Sequence, residues 1–339
     1  MMMWRGVALA ALIVTGVYGA AAQDAQPDYS VPLGSALETY PYPFAVDYLP
    51  LKMEGEDVWM AYMDVAPAEG ATANGRSVVL MHGKNFYGSY WEQTAKALAA
   101  EGYRVVIPDQ IGFGKSSKPA VDYSFDTLSS NTAALLDSLA IEKVSVVGHS
   151  MGGMLATRFT RVFPDRVEKL VLENPIGLED YRFNVPPLST DQVYHGELNN
   201  ADPEKIRNFL KTYVVDWKPE VFERFVEVRT RLAHGGEFPR WARAAALTYQ
   251  MIYREPVVHE FGLIKTPTLI VIGQKDRTTL GRNFVAPEVI ATMGNYPVLG
   301  RKTAEAIEGS KLIELENVGH IPHLEVPERF HKDLIEFMK

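Results

Sequence analysis

Short apolar stretches rich in valine and isoleucine alternate with amphipathic stretches of helical spacing through much of this chain. The apolar stretches have the length and composition of strands that are buried on both faces of a sheet. Two parallel strands need a crossover between them, usually a helix, so the alternation predicts a doubly wound, mostly parallel α/β sheet with helices on both faces. Residues 58–65 have apolar residues suited to paired strands. The strands predicted from there to residue 175 are 77–81, 103–108, 143–147 and 169–172, and the helices between them are 91–100, 128–139 and 151–163.

The alternation stops after Asn174-Pro175, and strand patterns return only at residues 268–272 and 311–315. The intervening residues 178–258 have helical patterns almost throughout. Asp202-Pro203 is a favourable helix start, because the aspartate side chain can cap the helix and proline suits its first position. We expect 178–258 to form a helical lid inserted into the sheet domain, above the carboxyl ends of the strands, where such sheets bind their ligands.

The first 45 residues lack this strand–helix rhythm. Residues 1–22 combine a single positive charge at Arg5, an apolar run too short to span a bilayer easily and the small residues Ala20-Ala21-Ala22. These features predict a cleaved signal peptide, with an uncleaved membrane anchor as the alternative. The proline-containing residues 23–45 predict an extended arm. The mature chain is then expected in the periplasm or outside the cell, without a stable membrane span, and its α/β core is expected to comprise residues 46–177 and 259–339.

Composition limits the chemistry and the partners of the chain. Of its 339 residues, 47% are hydrophobic, which is enough for a large buried core. The sequence contains no cysteine, so disulfides and thiol chemistry do not contribute. The net charge is −8 and no basic cluster is present, so we expect no nucleic-acid partner. No metal-ligand spacing or dinucleotide fingerprint occurs either, and we therefore expect no cofactor and no metal.

A Gly-x-Ser-x-Gly pentapeptide spans residues 148–152, between a predicted strand and a predicted helix. A sharp turn from strand to helix exposes its corner residue, and the flanking glycines let neighbouring backbone approach closely. Ser150 would be held at this corner with its hydroxyl ready to attack a carbonyl carbon. The pentapeptide alone is weak evidence, because a serine that caps a helix after a glycine turn has the same pattern. The strand before Ser150 and the helix after it favour a nucleophile.

A serine nucleophile needs a base, and the base needs an acid that orients it. His320 follows the last predicted strand, and Asp276 follows the strand predicted at 268–272. Both side chains would then lie at the same sheet edge as Ser150. The order of serine, acid and histidine along the chain is one of those known for such triads. The alternatives are His323 as the base, although we expect it to be structural, and Asp180 or Glu173 as the acid.

An oxyanion formed during such an attack needs two N–H donors. The backbone N–H of Met151 would lie at the positive end of the helix that follows Ser150. The second donor is expected from the loop after strand 77–81, where Gly83 permits a tight turn and the Lys84 N–H follows, with Asn85 as the alternative. We expect His82 to brace this loop through hydrogen bonds. The Lys84 side chain could meet an anionic substrate, but we expect it to be solvated.

Five motifs occur in a fixed order: Met81-His82-Gly83, Pro108-Asp109-Gln110-Ile111-Gly112-Phe113-Gly114-Lys115-Ser116, Gly148-His149-Ser150-Met151-Gly152-Gly153, Gly273-Gln274-Lys275-Asp276 and Gly319-His320-Ile321-Pro322-His323-Leu324-Glu325-Val326-Pro327. With them, residues 45–339 resemble the α/β-hydrolase superfamily, in particular its lid-bearing branch of esterases, lactonases, proline iminopeptidase-like peptidases and carbon–carbon bond hydrolases. The resemblance implies the α/β-hydrolase fold. It also implies Ser150 as nucleophile, Asp276 as acid and His320 as base, and a structural turn at Asp109.

Two features depart from the pattern of that superfamily. The nucleophile position holds serine, where the similar haloalkane dehalogenases and epoxide hydrolases carry aspartate, so those reactions are disfavoured. Asp276 and His320 are 44 residues apart, which is longer than is usual in the superfamily. We expect the extra segment, residues 277–300, to form an added loop near the mouth of the site.

These residues predict an exported serine hydrolase that cleaves a small-molecule carboxylic ester through an acyl-enzyme intermediate. The alternatives are a proline iminopeptidase-like aminopeptidase or amidase, a lactonase, a carbon–carbon bond hydrolase and, outside enzymes, a binding protein that has lost the chemistry. A peptidase that binds an amine would need an acidic lid pocket, whereas Glu220, Glu223 and Glu227 have the spacing of a solvated helix face. The natural substrate and the oligomeric state do not follow from the sequence.

Overall fold

The computed structural model describes residues 29–339, and the predicted signal peptide, 1–22, lies outside this range. A sheet of eight strands runs through the described residues. The strands are β1 (Asp47–Met53), β2 (Glu56–Val65), β3 (Ser77–Met81), β4 (Arg104–Pro108), β5 (Val144–His149), β6 (Val167–Glu173), β7 (Thr268–Gly273) and β8 (Lys311–Leu315).

The described residues also contain eleven α-helices, of which α8 and α10 are single turns. The helices are α1 (Glu92–Ala100), α2 (Phe125–Ser138), α3 (Met151–Val162), α4 (Thr190–Leu198), α5 (Pro203–Lys211), α6 (Pro219–Ala233), α7 (Phe238–Arg254), α8 (Pro287–Ile290), α9 (Tyr296–Ala306), α10 (Pro322–Glu325) and α11 (Pro327–Met338). Asp202 caps α5 by accepting a hydrogen bond from the Lys205 N–H, as its sequence position predicted.

The strand order in the sheet is β1-β2-β4-β3-β5-β6-β7-β8. The pairs β1–β2 and β2–β4 are antiparallel, whereas every pair from β4–β3 to β7–β8 is parallel. The chain moves outward from β3 to β4 and then returns to place β5 on the other side of β3. This reversal makes the carboxyl ends of β3 and β5 the topological switch point, where doubly wound sheets bind ligands. The predicted fold class is confirmed.

Both faces of the sheet are covered, as a parallel sheet requires. Every residue of β5 is buried. Val144 and Val146 belong to an apolar cluster on one face, and Val147 belongs to a second cluster on the other face. The central strand is therefore held between two cores, and the residue that follows it is positioned rigidly.

Four helices, α4 to α7, are inserted between β6 and β7, and we call residues 190–254 the helical insertion. Within it, α4 packs against α7 and α5 packs against α6. The arm residues 29–45 contain no helix or strand and connect the insertion to the core. The Leu33 N–H donates to the Arg231 carbonyl in α6 over 3.0 Å, and the Lys115 ammonium of the core donates to the Leu37 carbonyl over 2.5 Å. Within residues 29–339, no helix is both long enough and apolar enough to cross a membrane.

The segment 277–300 differs from its prediction as a loop. It contains a 3₁₀ turn at Arg282–Phe284, the helix α8 and the first residues of α9. The buried Tyr296 begins α9, and its hydroxyl donates to the Pro175 carbonyl over 3.2 Å. The loop was predicted from the length of the segment between Asp276 and His320, which does not show that Pro287 and Pro297 occupy the first turns of helices, where proline is well suited.

Candidate active site

Ser150 lies at the corner between β5 and α3, with backbone angles of φ 58° and ψ −121°. This positive φ lies in a region that residues with a Cβ atom rarely adopt, and holding such a residue there costs about 1–3 kcal/mol. Surrounding hydrogen bonds hold the strained corner. The Ser150 N–H donates to the Glu173 carbonyl over 3.2 Å, and the Gly153 N–H donates to the Ser150 carbonyl over 2.9 Å. The corner therefore has the geometry of a nucleophile elbow.

The glycines beside Ser150 are required by close backbone contacts. A Cβ atom at Gly152 would lie 2.1 Å from the Met81 carbonyl oxygen, at the end of β3. A Cβ atom at Gly148 would lie 2.2 Å from the Gly152 carbonyl oxygen. Both distances are far below van der Waals contact, so only glycine lets β3, β5 and α3 approach this closely.

Ser150, His320 and Asp276 form a continuous chain of hydrogen bonds. The Nε2 atom of His320 is 2.9 Å from the Ser150 Oγ, and its Nδ1 atom is 2.7 Å from the Asp276 Oδ2. An ionised carboxylate can only accept, so Nδ1 carries the proton and the lone pair of Nε2 faces the serine hydroxyl. This is the tautomer that a general base requires. All three side chains are buried, with Ser150 the most exposed at 7%.

Asp276, the last member of this series of hydrogen bonds, is held in its ionised form. Its Oδ1 accepts from the Thr278 N–H and its Oδ2 accepts from the Asn174 amide, each over 2.7 Å. Burial alone would raise the pKa of Asp276. The charge and hydrogen bond of His320, together with the bonds from Asn174 and Thr278, outweigh burial and place the pKa below its ordinary value. The carboxylate is thus suited to stabilise a charged imidazole.

Asn174, whose side chain bonds to Asp276, is a site residue that the sequence analysis missed. It adopts a positive φ of 37° directly after β6. Its Oδ1 accepts from the Gly273 N–H over 3.0 Å, and its Nδ2 donates to the Gly319 carbonyl over 3.2 Å as well as to Asp276. Asn174 therefore connects the ends of three neighbouring strands. The available signal was a polar residue at the carboxyl end of a buried parallel strand.

His149, the residue before Ser150, joins the loops on either side of the serine. The Gly83 N–H donates to the Tyr90 hydroxyl over 2.9 Å, and this hydroxyl is 2.9 Å from the His149 Nδ1. The His149 Nε2 is 2.7 Å from the His320 carbonyl oxygen, which can only accept, so Nε2 carries the proton and Nδ1 accepts from Tyr90. Burial, followed by the charges of His320 and His323, lowers the pKa of His149 well below its ordinary value, so the ring is neutral.

The loop after β3 lies against the elbow. A Cβ atom at Gly83 would lie 3.0 Å from the Ser150 Cβ. The His82 Nε2 accepts from the Gln110 N–H over 3.0 Å, so its Nδ1 donates to the Gly83 carbonyl over 2.9 Å, and His82 braces this loop. Met151 is the first residue of α3, where a backbone N–H has no acceptor within the helix. Gly83 and Ser150 are the residues in contact at the elbow. Lys84 and Met151, whose N–H groups we expect as oxyanion donors, directly follow these two residues in the chain.

The Lys84 side chain, which we expected to be solvated, is only partly exposed. Its Nζ donates to the Ala245 carbonyl in α7 over 3.0 Å, and burial lowers its pKa. Asn85 donates to the Tyr213 hydroxyl over 2.7 Å, and the Tyr213 ring lies 4.9 Å from the His320 ring. The expectation of full solvation for Lys84 was wrong because α7 of the helical insertion contacts its ammonium group, and the local sequence does not reveal this contact.

A family model of the alpha/beta hydrolase fold matches residues 76–327 of the chain. The chain belongs to the α/β-hydrolase family. A crystal structure of a probable hydrolytic enzyme from Pseudomonas aeruginosa PAO1 is 44% identical, with a TM-score of 0.89, and the match covers 92% of this α/β hydrolase and 100% of that chain.

Two more distant relatives have more specific names. A protein of Paraburkholderia xenovorans named 2-hydroxy-6-oxononadienedioate/2-hydroxy-6-oxononatrienedioate hydrolase is 25% identical over 268 residues, which are 77% of this α/β hydrolase and 86% of that protein. An esterase from Exiguobacterium antarcticum has a TM-score of 0.64 at 21% identity, covering 83% of this chain and 95% of that one, which shows the shared fold alone. These comparisons identify a hydrolase and leave its substrate open.

The alternative base and acids of this hydrolase have other partners. The backbone N–H of His323 and its Nδ1 lie 2.7 and 2.9 Å from the Glu173 Oε1, and its ring stacks on Trp91 at 4.1 Å between centroids. The Asp180 Oδ2 lies 2.6 Å from Arg182 and 3.0 Å from His259. These contacts give both carboxylates structural roles away from the imidazole of His320.

Two of the glutamates expected on a solvated face of α6 are only partly exposed. The Glu223 Oε2 accepts from the Arg207 Nε over 3.0 Å, and the Glu227 Oε1 accepts from the Arg231 Nη1 over 2.7 Å. The expectation of full solvation is wrong for these two, because the neighbouring helix α5 and the arm pack beside them. Within residues 29–339, no group of three histidine, aspartate or glutamate side chains is arranged to hold a metal ion.

Proposed function

We propose that this α/β hydrolase is a serine hydrolase that cleaves a small-molecule carboxylic ester through an acyl-enzyme intermediate. The observation that carries the proposal is the 2.9 Å contact between the Ser150 Oγ and the unprotonated Nε2 of His320, whose other nitrogen bonds to Asp276. Such a contact lets the hydroxyl lose its proton as it attacks.

In the first half of the reaction, the Ser150 Oγ forms a bond to the ester carbonyl carbon while His320 takes its proton. The carbonyl oxygen becomes an oxyanion, which the N–H groups of Met151 and Lys84 stabilise. The bond from carbon to the alcohol oxygen then breaks, and the proton on His320 passes to that oxygen. The alcohol leaves and the acyl group remains on Ser150.

In the second half, water attacks the acyl carbon and His320 takes a proton from it. The carbon–Oγ bond breaks, Ser150 regains its proton from His320 and the carboxylic acid leaves. Asp276 holds the imidazole in its tautomer and stabilises the positive charge that the ring carries between these transfers. We propose that the helical insertion acts as the lid of this site, because Tyr213 lies beside His320.

The test is hydrolysis of p-nitrophenyl butyrate by the mature protein, together with labelling by a fluorophosphonate probe. Wild-type protein should hydrolyse the ester and carry one label on Ser150, and Ser150→Ala should lose both. The matched control is Ser145→Ala, since Ser145 is a buried serine of β5 whose hydroxyl has no hydrogen-bond partner in the described structure. Retention of full activity or of the label in Ser150→Ala would contradict the proposal.

Hydrolysis of a carbon–carbon bond beside a ketone is a second candidate. It is supported by the name of the P. xenovorans relative, which aligns with 77% of this chain. The same nucleophile, base and oxyanion donors could serve such a reaction. Faster turnover of 2-hydroxy-6-oxononadienedioate than of any ester in a substrate panel would favour this candidate over ester hydrolysis.

An aminopeptidase is less well supported, because a substrate amine would need a free carboxylate near the site. Glu223 and Glu227 are paired with arginines, and Glu237 accepts two hydrogen bonds from Ser35. A comparison of ester hydrolysis with hydrolysis of proline p-nitroanilide separates the two activities.

Export to the periplasm or beyond the cell is also a proposal, and it rests on residues 1–22. Cell fractionation of the expressed full-length chain tests it. The expected result is a mature protein that begins near Gln23 and appears outside the cytoplasm, and a full-length chain in the cytoplasm would contradict it.

A further inference from the structure

A small cavity of about 50 Å³ lies where the loop after β3, the helical insertion and the arm meet. Lys84 and Tyr87 line it from the loop, Arg229 and Trp241 from the insertion and Leu37 from the arm. A water molecule needs roughly 10–15 Å³ of such space, so the cavity could hold a group of three or four heavy atoms. It is therefore large enough for one small polar group of a ligand.

The Arg229 guanidinium lines this cavity and uses only part of its hydrogen-bonding capacity. Its Nη2 donates to the Glu197 Oε2 over 2.8 Å, and its guanidinium carbon lies 3.7 Å from the Trp241 ring centroid. Its Nη1 is buried and has no hydrogen-bond partner in the described structure. The large majority of buried side-chain donors have a hydrogen-bond partner in folded proteins, so the Nη1 hydrogens are available to a polar group placed in the cavity.

The charges around the cavity do not cancel. The charged side chains among its lining residues are the cations Arg229 and Lys84, and together with Glu197, which pairs with Arg229, they have a formal excess of one positive charge. Burial lowers the pKa of Arg229 to about 10 and also lowers that of Lys84, with Glu197 opposing both shifts, so Arg229 stays charged near neutral pH. A monoanion in the cavity would neutralise the excess, and the planar guanidinium fork matches a carboxylate well.

The cavity is connected to the proposed chemistry through a single loop. Lys84 lines it, and the preceding Gly83 lies against Ser150. A ligand group in the cavity and an ester carbonyl at Ser150 would therefore lie beside adjacent residues of the same short loop.

We propose that this cavity binds a carboxylate of the substrate, so that the enzyme prefers esters that carry a second, free carboxylate. This inference rests on the proposed ester hydrolysis. Arg229 would donate its free Nη1 hydrogens to the carboxylate, and the Lys84 ammonium would add a second positive charge nearby. Arg229 is thus a specificity-determining residue.

The test compares pairs of esters that differ only in a carboxylate or a methyl group. Monomethyl glutarate is paired with methyl valerate for the acyl side, and 3-acetoxypropanoate with propyl acetate for the alcohol side. In at least one of the two pairs, wild-type kcat/KM should be at least about tenfold higher for the charged ester than for its uncharged partner, as a hydrogen bond between charged groups predicts. Arg229→Gln should lower this ratio by about tenfold or more, and Arg229→Lys, which keeps the charge without the fork, should lower it less.

The matched control is Arg243→Gln, which removes a more exposed arginine of α7 that pairs with Asp191. It should keep the wild-type ratio. Ratios near one in both pairs, or a high ratio that survives Arg229→Gln, would overturn the inference. Circular dichroism of each variant checks that it is folded.

Binding without turnover separates this inference from the proposed reaction. Calorimetry should detect binding of the preferred charged ester to Ser150→Ala and a weaker affinity when Arg229→Gln is added. Binding that depends on Arg229, without turnover of any ester, would refute ester hydrolysis alone. Turnover of the uncharged esters without any effect of Arg229→Gln would refute the carboxylate site alone, and absence of both turnover and binding would refute both.

Discussion

Replacement of Asn174 by aspartate would place a second carboxyl group beside Asp276 without changing the size of the side chain. The Asn174 amide nitrogen lies 2.7 Å from the Asp276 Oδ2, which also accepts from His320. Aspartate tolerates the positive φ of this position nearly as well as asparagine does. The substitution thus tests the electrostatics of the acid with little change in shape.

The magnitude follows from two competing costs. Two carboxylate charges 2.7 Å apart repel by about 6 kcal/mol at an effective dielectric constant of ~20. Protonating one carboxyl group at pH 7 costs about 4 kcal/mol, because its ordinary pKa is about 3.9. Protonation costs less, so the folded variant should keep one proton at pH 7, and the new O–H group can donate to Asp276 in place of the amide.

The retained proton makes stability depend on pH. The folded variant would bind one more proton than its unfolded chain. As the pH rises from 5 to 7, its free energy of unfolding should therefore fall relative to wild type by about 1.4 kcal/mol per pH unit. The lowered pKa of Asp276 in the wild type does not interfere, since its contribution is complete above the unfolded pKa and is lost only as the pH falls further.

Urea unfolding of Asn174→Asp and wild type at pH 5, 6 and 7 measures this dependence. The control is Asn295→Asp, which adds the same charge at an exposed position before α9 and should show no such slope. A stability difference between Asn174→Asp and wild type that stays constant over this range would refute the reasoning, because it would mean that no proton is taken up.

Three further predictions concern the scaffold. Gly152→Ala would bring a Cβ atom to 2.1 Å from a carbonyl oxygen of β3, so urea unfolding should show a loss of about 3 kcal/mol or more, whereas Gly196→Ala, with open space around it, should change stability by about 1 kcal/mol or less. Arg158→Met removes the buried guanidinium that bonds to Glu260 and leaves Glu260 with Arg161 as its remaining ion-pair partner, so it should cost about 1.5–3 kcal/mol, against about 0–1 kcal/mol for Arg329→Met at an exposed pair. Equal costs within either pair would contradict these assignments. Burial lowers the pKa of His331 to about 4, so the wild type should lose stability as the pH falls below about 6.5. His331→Gln should therefore show a smaller fall in melting temperature between pH 7 and pH 5 than wild type, and an unchanged fall would refute this.

Much of the fold followed from the sequence because the signals are local. The predicted strands 77–81 and 311–315 agree with β3 and β8 at both ends. The prediction of a loop at 277–300 was wrong because it rested on the length of the segment between Asp276 and His320, and length does not show whether a segment contains short helices. Order of the strands in the sheet lay beyond local patterns, since it depends on which crossover packs against which face.

In the candidate site, too, the residues that could be predicted are those with a local signal in the sequence. The elbow at Ser150 could be located because a strand, two glycines and a helix lie within one short stretch of chain. His320 and Asp276 could be named from their places after strands, although their contact joins residues 44 positions apart.

By itself, the sequence determined the α/β class, the turn at Ser150 and the absence of thiol chemistry, because each depends on residue spacing or composition. Only the tertiary structure decided that Asn174 supports Asp276, that His149 links two loops and that Lys84 lies beneath the helical insertion. It also decided that Arg229 lines a cavity and that its Nη1 has no hydrogen-bond partner among the described residues. These features depend on burial and on contacts between distant segments, which become defined only when the sheet, the insertion and the arm are packed together.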